Sequence, residues 1–324
     1  MCTFCHTSIS SDYSDSVPKS IACADELTVM ASPITLPEAT TQSPIADEQK
    51  SAEYLLSNLP SLPTVSARLL GMMGRSDVNL KEISSLIVSD AVLTGEILRL
   101  SNSAMFNTRS EVRSILQALA ILGTEKVKGL ACTVALRSYL GNALQIPALK
   151  RCWRHNLATA VVSSEIAGWA RQDSGEAYTA GILHDIGRLG LIAVNPGRYL
   201  QLLDRASACG GDLCAYEREA YGLDHAAAGE WLASSWGLPS YFGEAIRTHH
   251  VRTNTPYDQV GGLLYYGCRI ADTLGFAAID PKTDPGSPIQ EYLDHLPSPV
   301  RDRLNIDISE LQLLIASRVN ALES

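Results

Sequence analysis

The sequence predicts an all-α fold arranged as two helical lobes, and three observations indicate it. Apolar residues recur at helical spacing through most of the chain from about Ala52 onward. Capping residues and glycines mark the starts and ends of successive helices. Runs that alternate apolar and polar residues with period two, as strands do, do not occur over a useful length.

Composition and charge narrow the class of protein. Hydrophobic residues make up 46% of the 324 residues, which is enough for a sizeable core, and the formal net charge is −9. A phosphate backbone repels such a surface, so direct binding of DNA or RNA is not expected. The sequence shows neither a transmembrane run nor a secretory signal. We therefore expect a cytoplasmic protein with no membrane span, whose eight cysteines are mostly reduced.

The first 50 residues are rich in Ser, Thr, Pro and Asp and lack a lasting periodicity. Such a segment cannot bury enough apolar area to offset its ordering entropy, so we predict a disordered polar tail. Cys2, Cys5 and His6 spell the C-x-x-C-H attachment pattern of c-type haem. That chemistry requires export, and no export signal is present, so no haem is expected.

The first lobe is predicted to span residues 52–145. Asn79 opens its second helix, with Glu82 three residues further on as a capping box, and Gly123 and Gly141 close its last two helices. Clusters of catalytic residue types do not occur here, so we interpret the lobe as a packing or docking unit. Its five predicted helices begin near Pro63 and Asn79 and run over 91–101, 115–122 and 125–140.

The second lobe is predicted to span residues 146–275, and the chain ends with a loop and an amphipathic helix over 276–324. Glycines and Pro239 punctuate the second lobe. Its predicted helices run over 149–171, 176–194, 212–221, 224–236, 239–249 and 257–274.

The last helix is predicted to begin at Asp307 and to pack back on the domain. A homodimer contact through this helix is the alternative. Its predicted apolar face carries Leu311, Leu314, Ile315, Val319 and Leu322.

Five of the seven histidines lie between residues 155 and 250, together with acids that stand in apolar helical runs. Imidazole and carboxylate groups bind divalent metal ions. Taken singly, each is a weak signal, because a helical His155 is more often structural and His225 could belong to a helix cap. An ionised Asp185 in an apolar run needs a cation or a donor nearby. The candidate metal ligands are His155, His184, Asp185, His225, His249, His250 and Asp272.

These residues suit one or two divalent ions such as iron or manganese. His155, His184, Asp185 and Asp272 would supply one site. His225, His249 and His250 would supply a second, bridged by Asp185. Two ions about 3.5–4 Å apart can clamp a phosphoryl group and generate hydroxide at neutral pH.

Other chemistries have less support. The phosphate-loop, dinucleotide-binding and nucleophile-elbow motifs are missing from the sequence. Cys152 and Cys268 lie near candidate ligands, so a Cys–His nucleophile is an alternative. Nothing in the sequence marks either thiol as activated.

The order of His155, His184-Asp185 and Asp272 resembles the HD superfamily of metal-dependent phosphohydrolases. A closer resemblance is to the HDOD family, the HD-related output domain of bacterial signalling proteins. That resemblance implies an all-α, two-lobed fold with an HD-type helical core in the second lobe. It also implies a signal-transduction module that acts mainly by binding a protein partner and often lacks hydrolase activity. The matching segments are 59–63, 89–93, 100–104, 118–123, 181–187, 224–226, 236–239 and 246–250.

The ligand set is also similar to that of HD-GYP phosphodiesterases, which act on cyclic di-GMP, but three positions depart from their pattern. A G-Y-P sequence does not follow His250, Arg188 stands where that pattern has Lys, and Arg151 stands where many members place an acidic ligand. The alternative function is therefore a metal-dependent phosphohydrolase acting on a cyclic dinucleotide or another phosphoester. In that version Asp185 orients the attacking water and Arg188 contacts phosphate.

Overall fold

Helices form every regular element of the residues that the structure describes, and no strand occurs among them, so the predicted all-α class is confirmed. The structure is a computed structural model. The described residues belong to one compact unit, Gln42–Ser324. The predictions for the tail over 1–50, including its haem motif, and for the loop over 281–288 lie outside them. The structure describes 64–72, 77–103, 110–209, 212–252, 260–278, 289–304 and 308–323, with single positions between 54 and 108.

The first five helices begin within one residue of the predicted positions. The side chain of Asn79 accepts a hydrogen bond from the backbone N–H of Lys81, and Asp90 accepts one from Leu93. Each bond satisfies a backbone donor that the first helical turn leaves free. The helices are α1 (Thr64–Gly71), α2 (Leu80–Val88), α3 (Ala91–Ser101), α4 (Ile115–Leu122) and α5 (Thr124–Leu140), followed by a 3₁₀ turn, Gly141–Gln145.

Each candidate ligand lies either within one of the next eight helices or just after the end of one. The 23-residue α6 packs against α7 and α13. The division into lobes at residue 145 stays a prediction. The helices are α6 (Pro147–Trp169), α7 (Ser174–Leu183), α8 (Ile186–Val194), α9 (Pro196–Cys209), α10 (Leu213–Tyr221), α11 (His225–Ser235), α12 (Ser240–Thr248) and α13 (Val260–Ala271), which a π-helical turn, Asp272–Phe276, follows.

The predicted single helix over 176–194 is wrong, because the chain breaks at His184 and Asp185 into α7 and α8. Both helices are largely buried, so apolar residues continue across the break and the sequence pattern does not reveal where one helix ends. Gly187 lets α8 approach α11 closely. A Cβ atom at Gly187 would lie 1.9 Å from the backbone oxygen of His225, a separation that only glycine allows.

Helix α9 was not predicted from the sequence, although proline at the first position, here Pro196, is typical of a helix start. The side chain of Asn195 accepts a hydrogen bond from the N–H of Arg198 in the first turn of α9. Two short helices, α14 (Ile289–Leu293) and α15 (Ser298–Leu304), also lie in the segment predicted to hold a loop and one helix.

The C-terminal helix α16, Ile308–Glu323, packs against α6, as predicted. Four of its five predicted apolar positions are buried, but Leu314 is 42% exposed, so its assignment to the buried face was wrong. Arg154 pairs with Glu323 and Arg318 with Glu165 across this contact. The homodimer contact stays a prediction. No helix in the described part of the chain combines the length and apolar character needed to cross a bilayer.

Close helix approaches bring the candidate ligands together. A Cβ atom at Gly181 of α7 would lie 2.4 Å from the Cα atom of Ala160 on α6. A Cβ atom at Gly267 of α13 would lie 1.9 Å from Oγ of Ser163, also on α6. Only glycine permits these approaches without displacing a helix, so α7 and α13 are held directly against α6.

Candidate metal centre

The carboxylate of Asp185 lies at the middle of the cluster of predicted ligands. Its Oδ1 atom is 3.3 Å from Nε2 of His225 and 3.5 Å from Nε2 of His249. Its Oδ2 atom is 3.8 Å from Nε2 of His184 and 4.0 Å from Nε2 of His155. Side chains from α6, the α7–α8 junction, the start of α11 and the end of α12 therefore surround one carboxylate.

Three histidines of this cluster direct Nε2 towards the carboxylate, because Nδ1 has a backbone partner. Nδ1 of His184 donates to the carbonyl of Gly181 at 2.8 Å, and Nδ1 of His249 donates to that of Ile246 at 2.6 Å. Nδ1 of His155 lies 2.9 Å from the carbonyl oxygen of Phe276. A carbonyl only accepts, so the hydrogen of each neutral ring lies on Nδ1 and Nε2 keeps its lone pair.

Burial determines the charge of the cluster. It lowers the pKa of both His184 and His249, so these rings are neutral near neutral pH. Burial alone would raise the pKa of Asp185, but Arg188 and the nearby histidines hold it well below its usual range. Asp185 is therefore ionised while His184 and His249 are neutral, which is the form in which these three groups bind a metal ion.

Several polar atoms of the cluster are buried without a hydrogen bond. Within the described residues, neither oxygen of Asp185 has a hydrogen-bond partner, although Oδ2 pairs with Arg188, and Nε2 of His249 has none. The side chains of His155, His184, Asp185 and His249 are at most 2% exposed. Buried polar atoms of native proteins are normally satisfied, so these atoms call for a ligand, and their chemistry fits a divalent cation.

On the side of Asp185 that faces His225, the neighbouring side chains contact one another. Nε2 of His225 is 2.7 Å from Nε2 of His250 and 3.2 Å from Nη2 of Arg188. Nη2 of Arg269 donates to Nδ1 of His250 at 2.7 Å. Nη1 of Arg188 lies 3.0 Å from Oδ2 of Asp185. Two guanidinium groups therefore lie against residues that the sequence assigns to a second metal ion, and that second site stays a prediction.

His225 is held by Glu217, a residue that sequence analysis did not single out. Nδ1 of His225 lies 2.6 Å from Oε2 of Glu217, and Tyr199 donates to the other oxygen of this carboxylate. Burial alone would lower the pKa of His225, but Glu217 raises it to about 10. His225 therefore adds positive charge beside Asp185 in the metal-free protein.

Asp272 contacts His155 on the side of the ring that faces away from Asp185. Its Oδ1 atom is 3.3 Å from Nδ1 of His155, which is the ring nitrogen on the opposite side from Nε2. Arg269 lies 3.6 Å from its other oxygen. In this arrangement Asp272 supports the ring of His155, whereas the sequence prediction makes it a direct ligand. Arg151, the residue expected to repel a cation, is exposed.

Two cysteines also lie beside the histidines. Sγ of Cys268 is 3.6 Å from Nε2 of His155, and Sγ of Cys214 is 3.9 Å from Nδ1 of His225. In the part of the chain that the structure describes, three groups have donor atoms within 4.8 Å of one another, as metal ligands require. These groups are His155–His184–Cys268, His184–Asp185–His249 and Cys214–His225–His250. Sequence analysis considered Cys268 only as a nucleophile, and Cys214 not at all.

The fold and this geometry define an all-α protein with a buried histidine–aspartate centre. The family model of the HDOD domain matches residues 59–252, more than half of the chain. The chain therefore belongs to the HDOD family, as the motifs in the sequence predicted.

Solved structures of bacterial proteins share the fold. A candidate phosphohydrolase from Shewanella amazonensis SB2B is 23% identical with a TM-score of 0.65, covering 85% of this chain and 98% of its own. A candidate signal transduction protein from Marinobacter aquaeolei VT8 is 20% identical with a TM-score of 0.67, covering 86% and 66%. An HDOD domain protein of unknown function from Geobacter sulfurreducens is 20% identical with a TM-score of 0.60, covering 84% and 98%.

A curated relative is an uncharacterized protein from Treponema pallidum (strain Nichols). It is 24% identical over 205 residues, which are 62% of this chain and 39% of the relative. The chain thus spans about two fifths of the length of that relative. Similarity at these levels of identity establishes the fold that the proteins share.

Proposed function

We propose that this HDOD protein is a signal-transduction module whose helical core holds one divalent metal ion and which acts by binding a protein partner. The observation that carries the proposal is the buried carboxylate of Asp185, which makes no hydrogen bond to the described residues although it pairs with Arg188, and which is faced by Nε2 of His155, His184 and His249. When bound, the metal would supply positive charge that stabilises this carboxylate and joins three helical segments. A regulatory centre of this kind couples metal binding to the fold.

The closed environment of the centre favours this role over catalysis. Structural metal sites are enclosed by protein ligands, whereas catalytic sites keep a position open for water or substrate. Here His184 and His249 are fully buried and Asp185 is 1% exposed. Arg188 fills the adjacent position, where a second metal ion would stand in a two-metal hydrolase. The similarity to the Marinobacter signal transduction protein is consistent with the proposal but extends only to the fold.

Metal analysis of protein purified without a histidine tag tests the metal-binding part of the proposal. We expect close to one equivalent of a divalent ion per chain, and we expect His184→Ala and Asp185→Asn to lose it. His295→Ala is the matched control, because His295 is exposed and lies outside the cluster. Wild-type protein that refolds with full native stability and takes up no divalent ion would contradict the proposal.

Partner binding needs a separate test. Full-length wild-type and Asp185→Asn proteins would be used to capture partners from extracts of the source organism, and recovered proteins would then be purified and their affinity measured. We expect a partner that binds the metal-loaded wild type at least roughly tenfold more tightly than the variant, which corresponds to about 1.4 kcal/mol. Equal affinity of the partner for the two proteins would show that partner binding does not depend on the metal centre.

The second candidate function is a metal-dependent phosphohydrolase, and the two arginines favour it. Arg188 and Arg269 lie beside the candidate ligands, and guanidinium groups bind phosphate oxygens through paired hydrogen bonds. Asp185 would then orient the attacking water, and Arg188 would contact the phosphate of a cyclic dinucleotide or another phosphoester. The Shewanella protein of the same fold is itself named as a candidate phosphohydrolase.

An activity assay separates the two functions. Metal-loaded protein would be incubated with cyclic di-GMP and with simple phosphoesters. We expect no turnover above that of Asp185→Asn. Turnover by the wild type that disappears in both His184→Ala and Arg188→Lys would establish the hydrolase and overturn the module.

A further inference from the structure

The side chain of Cys268 points from α13 into the centre. It is 2% exposed, and its Sγ atom lies 3.6 Å from Nε2 of His155. Nε2 of His184 lies 3.1 Å from the same nitrogen and within 4.8 Å of the sulfur. The thiol therefore faces the point to which the two unprotonated imidazole nitrogens are directed.

Two of the three separations among these atoms match the edges of a tetrahedral site with mixed nitrogen and sulfur ligands. With Zn–N of about 2.05 Å and Zn–S of about 2.3 Å, tetrahedral angles give an N···N edge of about 3.3 Å and an N···S edge of about 3.6 Å. The observed separations are 3.1 Å between the nitrogens of His155 and His184 and 3.6 Å between His155 and Cys268.

An independent observation indicates a ligand at the same point. Oδ2 of Asp185 is buried, makes no hydrogen bond to the described residues, and lies 3.8 Å and 4.0 Å from Nε2 of His184 and His155, with Nη1 of Arg188 at 3.0 Å. It supplies a fourth donor. Asp272, which the sequence predicted as a ligand in this place, lies instead on the far nitrogen of His155.

We propose that Cys268 is a thiolate ligand of the metal, together with His155, His184 and Asp185, and that it makes the centre selective for Zn²⁺ or a similarly soft ion over Mn²⁺ and Mg²⁺. The inference rests on the proposed metal-binding function. On binding, the S–H bond of Cys268 breaks, a metal–sulfur bond forms, and the proton is released to solvent. Thiolate ligands favour softer ions, whereas an all-oxygen set suits Mg²⁺ and Mn²⁺.

Cobalt substitution provides a test that does not depend on enzymatic activity. Full-length metal-free protein would be loaded with Co²⁺, and its absorption would be recorded together with its cobalt content. We expect visible bands of tetrahedral Co²⁺ and a near-ultraviolet band from thiolate-to-cobalt charge transfer. Cys268→Ser should keep bound cobalt at high Co²⁺ concentration but lose the near-ultraviolet band.

Two cysteine variants serve as controls. Cys132→Ser removes another buried thiol, one that does not belong to a candidate metal group, and Cys214→Ser removes the thiol beside His225. Both should keep the charge-transfer band. In competition experiments Cys268→Ser should lower the preference for Zn²⁺ over Mn²⁺ by at least about tenfold. Loss of a residue that only supports a ligand already lowers metal affinity by about 10–100-fold, so loss of a ligand should cost at least the lower value.

The outcomes distinguish this inference from the proposed function. Cobalt bound by the wild type without a charge-transfer band would overturn the role of Cys268 and leave the metal centre intact. A band that disappears in Cys214→Ser but persists in Cys268→Ser would overturn it as well. Folded wild-type protein that binds no cobalt, zinc or manganese would overturn both the inference and the proposed function.

Discussion

Nε2 of His155 lies 3.1 Å from Nε2 of His184, although both rings place Nδ1 against a backbone carbonyl. A neutral histidine whose Nδ1 donates to a carbonyl has a lone pair on Nε2, so in that form of both rings two lone pairs face each other at this distance. A cation bound by both nitrogens converts this repulsion into attraction. The relationship is therefore the local reason to expect a metal ion at this position.

Metal titration should end at one ion per chain. The second site suggested by the sequence needs free nitrogens on His225 and His250, but each of their ring nitrogens already has a side-chain partner. Isothermal titration and elemental analysis would measure the stoichiometry. His250→Ala should leave it unchanged, whereas His184→Ala should abolish binding. Two equivalents bound with similar affinity by the wild type would show that the arginines are displaced.

The two acids predicted as ligands should differ in their effect. Asp185→Asn removes the central carboxylate and should abolish tight binding. Asp272→Asn removes a group that contacts the far nitrogen of His155, so it should weaken affinity by roughly 10–100-fold, as loss of a supporting residue does. Competition with a chelator of known affinity would measure both changes. Complete loss of binding in both variants would favour Asp272 as a direct ligand.

Removing the metal should lower thermal stability. A ligand that binds only the folded state at 100 times its Kd stabilises it by about 2.7 kcal/mol. At about 2–4 °C per kcal/mol for a domain of 150–250 residues, the expected loss in Tm is about 5–10 °C. Scanning calorimetry with and without a chelator would show the shift. His295→Ala should show the same shift, and Asp185→Asn should show none.

Gly187→Ala should destabilise the protein, because the new methyl group would lie 1.9 Å from the backbone oxygen of His225 and 2.4 Å from the nitrogen of Gly229. Backbone atoms cannot move aside as a flexible side chain does, so we expect a loss of about 1–3 kcal/mol or more. Urea denaturation would measure the change in the free energy of unfolding.

Gly95→Ala is the matched control for that substitution. Gly95 lies inside α3, and a Cβ atom there would have no neighbour within 4 Å. Alanine in a helix interior is favoured over glycine by about 0.8–1.0 kcal/mol, so this variant should be unchanged or more stable. A similar loss of stability in the two glycine variants would argue against the close contact between α8 and α11.

Arg188→Met should lower the free energy of unfolding more in the metal-free protein than in the metal-bound protein. Arg188 is 5% exposed and pairs with Asp185, so its loss leaves that carboxylate buried without its cationic partner. Breaking a buried pair costs about 3–5 kcal/mol. Metal binding should recover part of this loss by supplying the missing charge. The measurement is urea denaturation with and without metal, and the exposed Arg151→Met should change stability by less than about 0.5 kcal/mol.

Much of the helical pattern could be predicted from sequence because its signals are local. Asn79 and Asp90 cap the helices that they precede, and α3 and α4 begin and end at the predicted residues. The break between α7 and α8 could not be predicted in this way. Residues on both sides of Asp185 are buried, so hydropathy does not change there, and the break depends on how α8 packs against α11.

The helical character of the chain, its HDOD motifs and the imidazoles and carboxylates that could bind a metal can all be recognised in the sequence. Those properties follow from the chemistry and spacing of nearby residues. The central position of Asp185, the placement of Arg188 and Arg269 on one side of it, and the contact of Cys268 with the nitrogen of His155 depend on how distant helices pack. Cys268 and His155 are 113 residues apart, and their contact exists because glycines allow α7 and α13 to pack directly on α6.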